Sequence, residues 1–105
     1  MAASGYRFEF EPTVSFIDAE MSLHLAMHAV AGLYGEARVR LEASYQPDEA
    51  QSAITVDGGT EVGAALVKVF TQLLTREFGE DAFRVRTWAQ PPAAVLNSTT
   101  AVVAR

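Results

Sequence analysis

A chain of 105 residues, half of them hydrophobic and a fifth charged, can bury one core but not two. It has no cysteine, which excludes disulfides, thiolate metal ligands and cysteine nucleophiles. A net charge of −5 argues against a general nucleic-acid binder, and no apolar run reaches the ~20 residues of a membrane span.

The opening MAASGYRFEF has neither the basic nor the apolar region of a secretion signal, so a cytoplasmic location is expected. Residues 6–11 then alternate, Tyr6, Phe8 and Phe10 on one face and Arg7, Glu9 and Glu11 on the other, which predicts a half-buried strand. Pro12 ends it. Ser15 or Asp18 offers an N-cap for a helix running to Tyr34, with Gly35 as its stop. Its predicted core face is Leu23, Ala26, Val30, Leu33 and Tyr34.

Residues 37–45 alternate again. Ala37, Val39, Leu41, Ala43 and Tyr45 are expected inward, and Arg38, Arg40, Glu42 and Ser44 outward, on a second strand. Residues 46–51 are polar turn material, and 53–56 a short strand with Ile54 and Val56 inward. Asp57-Gly58-Gly59 turns the chain into its strongest element, a helix over 60–79. There Val62, Leu66, Val69, Phe70, Leu73, Leu74 and Phe78 share one broad face, and Lys68, Thr71, Gln72, Thr75 and Arg76 the other. Thr60 is a good N-cap, Glu61 suits the positive end of the helix dipole, and Gly79 suits the stop. A last strand is expected at 83–87, with Phe83 and Val85 inward and Arg84 and Arg86 outward.

This order, β-α-β-β-α-β, predicts an α+β domain over 1–88: a ferredoxin-like antiparallel four-stranded sheet with two helices on one face. Residues 89–105, which include Pro91-Pro92, read as a tail, flexible or strand-adding through the β-prone 99–104.

The chemistry-bearing residues are few. His24 and His28, spaced i, i+4 on the first helix, could reach one zinc ion, and Glu20 could orient His24. Two ligands make a weak site unless another chain or loop completes it. Ile17 and Met21 fall on the same outward side and make a small apolar patch. The outward sheet face is expected to carry Arg7, Arg38, Arg40, Arg84 and Arg86 among Glu9, Glu11 and Glu42, with Trp88 extending it. RNA recognition by a sheet needs exposed aromatics on the central strands, and the outward positions there are charged or small. The glycine-rich 57–63 lacks the lysine and glycine spacing of a phosphate loop, and Asp57 and Glu61 would repel an anion.

Ser22-Leu23-His24 resembles the Gly-Leu-His entry of the histidine-containing phosphocarrier of the sugar phosphotransferase system. Ile54-Thr55-Val56-Asp57-Gly58 is similar to that family's last strand and turn. The resemblance implies a phosphorylatable histidine at His24, but the family's following arginine and proline are Ala26 and Met27 here.

The expected function is therefore a small homo-oligomer-forming interaction or accessory module, open to a protein partner, with Ile17, Met21, Arg84, Arg86 and Trp88 as interface residues. Its rival is a small-molecule or metal-binding protein with a site at a dimer seam, and a small enzyme or phosphocarrier-like protein comes third.

Overall fold

The computed structural model describes residues 4–88, the side chain of Trp88 apart. In chain order come β1 (Gly5–Phe10), α1 (Phe16–Tyr34), α2 (Glu36–Glu42), β2 (Tyr45–Asp48), β3 (Ala53–Asp57), α3 (Glu61–Phe78) and β4 (Phe83–Trp88). Short 3-10 turns at Glu49–Gln51 and Glu80–Ala82 lead into β3 and β4. The strands form one antiparallel sheet in the order β2-β3-β1-β4, so the fold is α+β with three helices. None of the described helices is long and apolar enough to cross a membrane.

The alternation in β1 sets the layers. Phe8 and Phe10 are buried and Tyr6 packs beside them, while Arg7 and Glu9 project to the other face. In register, Phe8 lies between Ile54 of β3 and Val85 of β4, and Tyr6 lies opposite Val56. Onto this apolar face α3 brings Val62, Leu66, Val67, Phe70 and Leu74, and α1 brings Ala19, Leu23, Ala26 and Val30. Val67 is buried although the expected face of the helix left it out. The rings of Phe8 and Phe70 meet at 4.7 Å between centroids. No buried side chain among the described residues is polar or charged, so apolar burial and dispersion hold this interior together.

The helix ends follow the chemistry of their caps. Ser15 Oγ accepts from the Asp18 N–H at the start of α1, and Thr60 Oγ1 accepts from the Gly63 N–H at the start of α3. Gly35 and Gly79 stop α1 and α3 at φ of 94° and 91°, a backbone region costly for residues with a Cβ.

The chief correction to the sequence reading concerns residues 37–45. The expected strand is mostly α2, and β2 begins only at Tyr45. A nine-residue alternation can be read at a period of 2, but Glu36/Arg40 and Arg38/Glu42 are also i, i+4 pairs, and as ion pairs at 4.0 and 2.9 Å they favour the helix. Val39 is the one buried residue of α2, while Leu41, expected inward, is 84% exposed. Arg38, Arg40 and Glu42 therefore leave the sheet face, and the expected two helices become three. Residues 46–48, expected as a turn, belong to the edge strand β2, where Pro47 is tolerated because an edge strand has a side without ladder partners. Leu33, expected in the core face of α1, is 77% exposed. The tail 89–105, with its β-prone 99–104, lies outside the described residues.

Phe70→Ala should cost about 3–5 kcal/mol by leaving a cavity between α3 and the sheet, whereas Lys68→Ala on the exposed side should be nearly silent. Chemical denaturation of both variants checks this, and equal losses would mean that the faces of α3 are wrongly assigned.

Candidate functional site

The described interior has no polar side chain, so the groups able to recognise or react lie at the surface. α1 packs against α2 on one flank and α3 on the other, and its remaining side faces solvent. There Ile17, Met21, Leu25 and Leu33 are 66, 64, 58 and 77% exposed. With the exposed Ala29 they form a row at four-residue spacing, the ridge that helices use to pack on one another. Asp18 is the only formally charged residue among the exposed positions of α1. A solvent-facing helix ordinarily carries charged and polar residues along that side. Ile17 and Met21 are thus part of a longer apolar row, and the same spacing could have revealed Leu25.

A groove of about 240 Å³ between α1 and α2 brings His24 and His28 together with Glu36 and Arg40, over a floor that includes Met27 and Val39. The His24 ring stands edge-on to Tyr45, with centroids 5.9 Å apart. Glu36 and Arg40 make a loose ion pair at 4.0 Å, both largely exposed. Glu20, expected to orient His24, does not line this groove. Among the described residues no three His, Cys, Asp or Glu side chains are grouped so that they could hold a metal ion. His24 also lies in the middle of α1, where backbone N–H groups are spent on the helix, so it lacks the free donors of a helix start that would favour a phosphohistidine.

On the other flank, Asp18, Met21, Ser22 and Leu25 of α1 and Glu77 of α3 line a second groove.

At the junction of the three helices, Arg38 donates to both carboxylate oxygens of Glu42 at 2.9 and 3.1 Å and to Glu61 at 3.2 Å. Its guanidinium carbon also lies 5.1 Å from the centre of the Tyr34 ring. The Arg38 hydrogen bonds hold the Glu42 carboxyl below its usual range, with a smaller contribution from the backbone of Val62 in the first turn of α3. Glu42, then Glu61, in turn raise Arg38 above the usual guanidinium value.

The outer sheet face is paired in the same manner. Glu9 takes Arg7 at 3.1 Å and Arg86 at 3.2 Å, and Arg7 also reaches Asp48 at 3.6 Å. Arg84 lies in register with Glu9, as the adjacency of first and last strands requires, and Trp88 ends β4. Exposed ion pairs of this kind contribute tenths of a kcal/mol, roughly, to stability.

The glycine-rich loop does turn and cap work. Asp57 Oδ1 accepts from the Gly59 N–H at 2.9 Å, and Thr60 Oγ1 donates to the Glu42 carbonyl at 3.0 Å. Gly63 is required by close approach, since a Cβ there would collide with the Asp57 carbonyl oxygen.

The chain matches no protein-family model, no curated protein and no solved structure.

The Arg38–Glu42 pair generates a pH signature. A carboxyl depressed in the fold adds stability that is complete above its unfolded value of about 4.5 and lost as pH falls through the lower folded value. Arg38→Ala should therefore lower the melting temperature at neutral pH, and the gap to the wild type should narrow below pH 4.5. Thermal unfolding followed from pH 7 to pH 3 measures it; a gap that stays constant would show that Glu42 gains nothing from Arg38.

Proposed function

We propose that this protein is a homo-oligomer-forming interaction module of ferredoxin-like topology, whose self-association face is the outward ridge of α1. The carrying observation is that Ile17, Met21, Leu25 and Leu33 stand 58–77% exposed in one row on a helix with a single formal charge among its exposed positions. The topological part of the reading is supported by the strand order β2-β3-β1-β4 together with the two helical crossovers that precede β2 and β4. A cytoplasmic location belongs to the same reading, in keeping with a chain that has no cysteine to oxidise.

Magnitudes favour the ridge as the seat of association. Full burial of a large apolar side chain contributes about 1.5–3 kcal/mol, so covering four that are two-thirds exposed adds on the order of 4–8 kcal/mol per chain. Two copies supply twice that, which is comparable with the roughly 4–15 kcal/mol that association costs in lost freedom. A two-fold pairing uses the same row on both partners and needs no second complementary surface. Arg84, Arg86 and Trp88 lie on β4, a separate surface, and Arg86 is already paired with Glu9. They are second to Ile17 and Met21 as interface residues.

Sedimentation of the wild type at high micromolar concentration should show a dimer, and Leu25→Glu should be a monomer that still unfolds cooperatively, at a melting temperature that no longer rises with protein concentration. A monomeric wild type would remove this reading. A Leu25→Glu variant that stays dimeric would move the interface away from α1.

A further inference from the structure

We propose that His24 and His28 chelate a divalent transition ion of the imidazole-preferring class in the groove between α1 and α2, with the Glu36 carboxylate as the favourable charge beside it. Three observations converge on this groove. Both imidazoles, one turn apart on a rigid helix, line the same cavity of about 240 Å³, which is open to water for the remaining coordination positions. The edge-on contact with Tyr45 restrains the His24 ring, so less rotamer freedom is lost when it binds. The carboxylate comes from α2, a different element, and among the described residues its ion-pair partner is Arg40 at 4.0 Å, a loose pair that is 77 and 81% exposed. Turning Glu36 from Arg40 towards a cation therefore gives up very little.

Arg40 is the opposing charge on the same groove. Its guanidinium competes for Glu36 and repels an incoming cation, so it sets the affinity downwards. Such a site, with two protein imidazoles and open positions, holds its ion exchangeably and not as a structural clamp. Nitrogen ligands rank nickel, copper and zinc above manganese and iron, with copper the strongest of the series. The chelate lies within one chain and does not depend on self-association through the ridge.

The test is calorimetric titration of the full chain with Zn²⁺ alone, on the wild type and five variants at exposed positions. One ion per chain is expected. His24→Ala and His28→Ala should each weaken binding at least about tenfold, the minimum lost when even an outer-shell partner of a metal is removed. Glu36→Gln should weaken it less, and Arg40→Ala should tighten it, a direction that general loss of structure would not produce. Leu25→Gln, which alters the ridge without adding a charge beside His28, should bind like the wild type, whatever its oligomeric state. No saturable binding by the wild type, or wild-type affinity in either histidine variant, would overturn the site.

Discussion

The contact between Phe8 and Phe70 is what the rest of the structure depends on. Phe8 sits on β1, which lies between β3 and β4, and Phe70 sits midway along α3. Both are fully buried, and their tilted rings meet at 4.7 Å, a geometry that adds to the burial of two large side chains. Ile54 and Val85 lie across from Phe8 on the neighbouring strands, and Leu66 and Leu74 lie one turn to either side of Phe70. Leu23 and Val30 of α1 complete the same cluster. With no polar side chain buried among the described residues, the interior has no side-chain hydrogen bonds to satisfy and no ionisable group to displace.

Around that core, polar side chains organise the helices without entering the interior. Arg38 gathers Glu42 of its own helix, Glu61 of α3 and the Tyr34 ring at the end of α1. Thr60 adds a second tie, since it caps α3 with its lone pairs and donates to the Glu42 carbonyl. These ties matter because α2 is seven residues long with Val39 alone buried. A helix so short does not persist by propensity. Its position is set by its neighbours, and with it the position of the Glu36 carboxylate opposite the two histidines.

How much of this was legible in the sequence depended on period and length. The long run from Val62 to Phe78 and the strict alternation of β1 each fit one period only, and both were read correctly apart from Val67. Residues 36–42 fit two periods, and the alternation of Val39 and Leu41 with arginines was read as a strand. The decisive signal was the pair of opposite charges at i, i+4, which a strand cannot use. β2 was illegible for another reason: an edge strand carrying Pro47 and polar side chains shows no alternation of apolar residues. The misreading of α2 also hid the groove, because Glu36 and Arg40 were not expected beside His24 and His28. Leu33 was assigned inward because the apolar residues of α1 encircle it, and hydrophobicity alone does not pick its buried side.

The placement of β1 has a consequence for how the chain comes to be folded. The first of the described strands is a central one, and its two neighbours come much later in the chain: Gly5 pairs with Asp57 on one side and with Trp88 on the other. While the chain is being synthesised, β1 with its Tyr6, Phe8 and Phe10 face has no strand to pair with until β3 has emerged, and its other edge waits for β4. The sheet closes only by contacts between residues far apart in sequence, which makes its formation slow relative to the local helices. A nascent chain therefore carries an unpaired aromatic strand until Asp57 has been made, and a chain broken off before Phe83 leaves one side of β1 open to whatever strand it meets first.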